Sequence, residues 1–98
     1  MTFLEKKEEI KKTFRELRKK GIVAKYITNR PWQFLKNFSE NENVIIYQRC
    51  DFEFLESGNY MNFLWKGDGE MIFKELQNHF KKVRWDGFPG TTMRVFFP

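Results

Sequence analysis

One cysteine, one histidine and three prolines are all that this 98-residue chain holds of the residue types that most often announce disulfide scaffolds, metal sites or extended linkers. A lone Cys50 excludes an internal disulfide framework and fits a reducing compartment. Cys50 and His79 are too few to supply a tetrahedral zinc set, and nothing in the sequence brings thiol and imidazole together as a thiol enzyme would need. Long apolar runs are also missing. No stretch of about eighteen apolar residues exists to cross a bilayer, and the opening MTFLEKKEEIKK carries carboxylates where a signal peptide needs an apolar segment. The expectation is a cytoplasmic protein with no membrane role. Repeats and low-complexity segments are absent as well.

Several chemistries fall away for want of parts. The segment GDGE (67–70) lacks the Lys-Ser/Thr that completes a phosphate-binding loop, and Asp68 and Glu70 offer too few oxygens for a calcium loop. Asp68 is better read as a helix cap. None of the thirteen acidic residues sits in a context that predicts a raised pKa, so no carboxylate pair stands out for acid–base work. No metal, cofactor or catalytic residue is expected, and the reading is non-enzymatic.

What the chain has in abundance is aromatic surface. Twelve Phe, three Trp and three Tyr in so short a chain put much of its stability into ring packing, since each ring buries roughly 150–250 Å². A single domain over residues 1–98 is expected.

The net charge of +5 is unevenly spread. Residues 1–30 carry ten Lys/Arg against four Glu, residues 31–80 four against eight acids, and residues 81–98 four against one. The basic character therefore lies at the two ends, and the middle is acidic.

Periodicity outlines the elements. Thr2 and Glu5 have capping-box spacing, and Phe3, Ile10, Phe14 and Leu17 share a helical stripe that ends near Gly21. GIVAKYIT reads as a strand closed by Asn29-Arg30-Pro31, and Pro31 opens a short helix with Phe34, Leu35 and Phe38 inward. VIIYQR and YMNFLWK read as an antiparallel pair, the former central. Between them, Phe52 and Phe54 alternate with Asp51 and Glu53, which suggests an extended segment with one wet face. A helix capped by Asp68 carries Ile72, Phe73, Leu76 and Phe80, and VRWDGFPGTTMRVFF reads as a terminal hairpin. Its WDG is taken as a turn in which Asp86 accepts a backbone hydrogen bond, not as a catalytic loop. The fold class expected is α+β, one two-layer domain with a mostly antiparallel sheet and helices on one face, in the order α-β-α-β-β-α-β-β.

The ordered set FRELRKKGIVAKY, VIIYQRCD, MNFLWKGDG and VRWDG…MRVFF resembles a bacterial family of small domains of unknown function, over most of residues 14–97. Its most specific parts are Gly-Ile-Val-Ala after the first helix and Trp-Asp-Gly before the last strand. Members tend to carry a cysteine-rich stretch after the first strand and a histidine three residues before the aspartate matching Asp51. Here NRPWQFLKNF and Gln48 stand in those places, so no metal-related property carries over.

Two surfaces remain as candidate contacts. Lys7, Lys11, Arg15 and Arg18 fall on one row of the first helix, and Asp51, Glu53 and Glu56 stand in the acidic middle. Because exposed aromatics among the basic residues are not evident in the sequence and the acidic middle opposes a polyanion, the leading expectation is a protein-binding module. The type that fits is a stoichiometric inhibitor or immunity protein whose partner is another protein. The alternative is a nucleic-acid-associated protein using the basic row with Lys25, Lys81, Lys82 and Arg84.

Overall fold

A capping box opens the first helix: Thr2 Oγ1 accepts from the Glu5 backbone N–H at 3.1 Å, and Glu5 accepts from the Thr2 N–H at 3.0 Å. From there the computed structural model, which describes residues 1–28 and 30–98, runs α1 (Phe3–Lys19), β1 (Val23–Ile27), α2 (Pro31–Lys36), β2 (Val44–Gln48), α3 (Asp51–Gly58), β3 (Tyr60–Lys66), α4 (Gly69–His79), β4 (Lys82–Arg84) and β5 (Met93–Phe96). The fold is α+β. Asn29, part of the expected end of β1, lies outside the described residues.

The five strands form one sheet in the order β1-β2-β3-β5-β4. β1 and β2 are parallel, joined by a crossover through α2, and every other pair is antiparallel. β2 is fully buried over Val44–Tyr47, as its continuous apolar run requires of a central strand. β5 enters between β3 and β4, so the terminal hairpin supplies both a central and an edge strand.

Alternation along each strand divides the sheet into two faces. Ala24, Ile45, Tyr47, Met61, Phe63, Met93 and Val95 point to the main core, where they meet Ile10, Phe14 and Leu17 of α1, Leu55 of α3, and Ile72 and Leu76 of α4. Tyr47 sits amid Phe14, Tyr26, Phe52 and Phe63 at ring separations of 4.9 to 6.1 Å, and burial pushes its phenol pKa upward. The opposite face carries a smaller cluster in which Leu35 of α2 covers Val44 and Ile46.

Helices thus cover one face for α1, α3 and α4, whereas α2 lies on the other. The cause is the parity of β2, an apolar run with no polar side that needs shielding on both faces. Lys66 pins α2 there: its ammonium donates to the carbonyls of Leu35, at 3.1 Å, and Phe38 at the helix's C-terminal end.

The second difference is α3. The alternating stretch Asp51–Phe54, expected to be extended, instead opens the helix Asp51–Gly58, because Phe52 and Leu55, three apart, are the residues that turn inward. Phe54, the other half of the apparent alternation, is 41% exposed. The order otherwise follows expectation, and no helix is long and apolar enough to cross a membrane among the described residues.

Two glycines are fixed by their surroundings. Gly67 takes φ +106°, and a Cβ there would lie within 2.4–2.9 Å of Asn43 and the Glu42 carbonyl. A Cβ on Gly69 would strike the indoles of Trp65 and Trp85 at 2.6–2.9 Å, two rings that meet edge to face at 5.4 Å.

Candidate functional site

The residues singled out in the sequence are dispersed. On α1, Lys7 lies over the rings of Phe3 and Phe52 at 5.4 and 4.8 Å, Lys11 pairs with Glu8 at 3.5 Å, and Arg18 donates to the Ala24 carbonyl at 2.9 Å. Arg15 is exposed. Three of the four cations of this row therefore have partners within the chain, and one of these partners, Glu8, is a carboxylate. Asp51 is buried: its Oδ2 accepts from the Gln48 backbone N–H at 2.8 Å, and burial pushes its pKa up despite that bond. It closes the turn into α3 and is no surface contact. Glu53 and Glu56 are exposed on α3 beside Phe54.

Cys50 is exposed and His79 half-buried, and no three His, Cys, Asp or Glu residues gather to hold a metal among the described residues. The WDG segment is a turn as expected. Asp86 Oδ1 accepts from the Phe88 N–H at 3.1 Å and from the Thr91 hydroxyl at 2.7 Å, and these two bonds, the hydroxyl's first, hold its pKa below the ordinary carboxylate value. Trp85 Nε1 donates to Thr91 Oγ1 at 3.1 Å while its ring packs on Trp65 and on Phe73 at 5.6 Å, joining the loop to the core.

A different constellation forms where no helix lies. α2 shields the β1–β2 side of the second face and reaches Leu64 and Lys66 of β3, leaving the Tyr60–Asn62 end of β3 with β5 and β4 uncovered by it. Register sets Tyr60 opposite Phe96 and Asn62 opposite Arg94 across β3–β5, then Lys82 opposite Phe96 and Arg84 opposite Arg94 across β5–β4. Tyr60, Asn62, Arg94 and Phe96 are half-buried, and Lys82 and Arg84 are exposed. Three cations and two rings thus share one face.

Their contacts are specific. The Arg94 guanidinium lies over the Tyr60 ring at 4.4 Å, with its Nε donating to Asn62 Oδ1 at 2.8 Å. Lys82 and Arg84 lie over Phe96 at 5.0 and 5.8 Å. Tyr60 stacks on Phe54 at 5.3 Å with an interplanar angle of 19°, over Gly58, where a Cβ would strike the tyrosine ring at 2.6 Å. Phe54 extends the aromatic surface to the rim. The ion pairs among the described residues are Lys11–Glu8, Lys19–Glu16 and Lys20–Glu75, so no carboxylate neutralises Lys82, Arg84 or Arg94.

Sequence reasoning named Lys82 and Arg84 but missed Tyr60, Asn62, Arg94 and Phe96. The signal was available in each strand as polar or basic residues at alternate positions. What it lacked was the strand order that sets them side by side.

At the other end of β3, α2 and the β4–β5 loop border a half-open cavity of about 500 Å³ lined by Trp32, Leu35, Lys36, Glu40, Trp65, Lys66, Gly67, Pro89 and Gly90. It is mainly apolar, with Trp32 56% exposed at its edge. Comparison with family models, curated proteins and solved structures finds no match to the chain, so the reading of these surfaces rests on their own chemistry.

Proposed function

We propose that the protein is a non-enzymatic binding module that takes single-stranded nucleic acid on the uncovered part of its sheet. One observation carries this reading: Arg94, Lys82 and Arg84, with no carboxylate partner among the described residues, are interleaved with the Tyr60 and Phe96 rings across three adjacent strands. Cations attract the phosphates, and rings or guanidinium planes offer stacking partners to unpaired bases of any sequence. Arg94 is suited to both tasks, because Tyr60 and Asn62 fix its plane.

The test is binding of labelled single-stranded DNA and RNA measured by anisotropy, with the Arg84→Ala/Arg94→Ala double variant and, as control, Lys11→Glu/Arg15→Glu on the far side of the sheet. The sheet variant should lose at least tenfold in affinity and the α1 variant less than threefold. Loss confined to the α1 variant, or absence of single-strand binding by the parent, would overturn the reading.

A second reading is a stoichiometric protein binder of the inhibitor or immunity type. It is favoured by exposed Glu53 and Glu56 flanking Phe54 on α3, an acidic edge with an apolar anchor that suits a basic partner. Capture of one defined protein, abolished by Glu53→Lys/Glu56→Lys and untouched by the arginine variants, would establish it instead.

A further inference from the structure

The cavity beneath Trp32 lies at the Lys66 end of β3, the strand whose Tyr60 end carries the aromatic and basic cluster. From Tyr60 to Lys66 the strand spans roughly 20 Å, the reach of a few extended nucleotides. Between the two ends the second face presents Leu64, packed against the α2 cluster, and beside it the exposed Thr92, so the route from one end to the other runs along the β5 side of β3.

We propose that this cavity takes one unstacked base, and that the base it takes carries an exocyclic amine. The inference rests on the nucleic-acid reading of the open sheet. The volume of about 500 Å³ lies within the range of ligand pockets, roughly 300–1,000 Å³. Trp32 is an indole standing 56% exposed at the edge, on a helix held in place by Lys66, so a stacking surface is presented by a fixed element. The lining also says which part of a nucleotide enters. Besides Lys36 and Lys66, the latter held by the carbonyls of Leu35 and Phe38, the lining carries Glu40, whose carboxylate is an acceptor for the exocyclic amine of a base. The backbone phosphates are met by the cations at the far end of the strand. The ligand therefore runs along β3 with phosphate contacts toward Arg94 and Lys82 and an inserted base beside Trp32.

The experiment compares oligodeoxycytidylates and oligothymidylates of about 4 to 16 nucleotides with the parent and with Trp32→Ala, Trp32→Phe and Glu40→Gln, each checked for an unchanged thermal melt. The parent should prefer the cytidylates, and the preference should appear only once the oligonucleotide is long enough to reach both ends. Trp32→Ala should lose roughly 5- to 100-fold on the long cytidylates, the worth of one stacked base, and Trp32→Phe should regain most of it. Glu40→Gln should weaken the preference for cytidylate while leaving thymidylate binding within twofold. Trp32→Ala binding long cytidylates as the parent does overturns the cavity's role, and if Arg84→Ala/Arg94→Ala still loses affinity the sheet reading stands without it. Equal binding of both homopolymers would overturn the amine preference.

Discussion

Asp51 illustrates how a single buried carboxylate separates two effects usually lumped together. Burial raises its pKa above the unfolded value, so the folded chain binds that proton more tightly than the unfolded chain. The contribution of this group is then most favourable at acid pH and is lost as pH rises from the ordinary aspartate value through the raised one. Its oxygen nevertheless satisfies the Gln48 N–H. Asp51→Asn, which keeps an acceptor and removes the charge, should leave stability at neutral pH equal or higher and remove that part of the pH dependence. Asp51→Ala, which orphans the amide, should cost about 1–3 kcal/mol; urea melts between pH 4 and about 7 distinguish the two, since pH 4 lies near the unfolded value. Trp85 acts on another residue-scale balance. Its ring packs between Trp65 and Phe73, and its Nε1 closes the Asp86–Thr91 loop. Trp85→Ala should therefore cost about 3 kcal/mol, the lower end for a large aromatic because the ring is half-buried.

Among the elements, those with one strong period were legible from the sequence, as the capped α1 and α4 and the alternating β3 and β5 show. α3 was not. Asp-Phe-Glu-Phe satisfies a strand's alternation over four residues, and the helical pair Phe52 and Leu55 prevails only because the core beneath Phe3 and Tyr47 accepts it. The position of α2 was equally hidden, since it follows from the need to cover the second face of β2 and is pinned by Lys66, far downstream in sequence, reaching its C-terminal carbonyls. Lys66→Met keeps most of the stem and removes those donors. It should free α2 ahead of the rest of the domain, visible as faster amide exchange at Phe34–Phe38 with β3 and β5 still protected. Uniform loss of protection across the sheet would show that α2 belongs to the global unfolding unit.

For the molecule as a whole, charge distribution along the chain was a partial guide. The two basic ends do not meet as one surface: α1 lies on the helical face, and Lys82, Arg84 and Arg94 lie on the open one. No exposed aromatic stands among the basic residues in the sequence, and it is the pairing β3-β5-β4 that sets the half-buried Tyr60 and Phe96 rings beside Lys82, Arg84 and Arg94. Binding through three cations should give a log–log salt slope of about −2 on single strands, falling by about 0.7 when Arg84 or Arg94 is replaced by Ala. Duplex DNA hides its base planes, so it should bind no tighter than about micromolar at physiological salt. Titrations at several salt concentrations test both.

The place of β5 between β3 and β4 has a consequence in time as well as in space. Strands β1 to β3 can pair as soon as they are made, but Lys82–Arg84 has no neighbour until Met93–Phe96 has arrived. During synthesis the basic cluster is therefore scattered over unpaired chain, and the surface that would hold a ligand comes into being in one late step, together with the closing of the sheet.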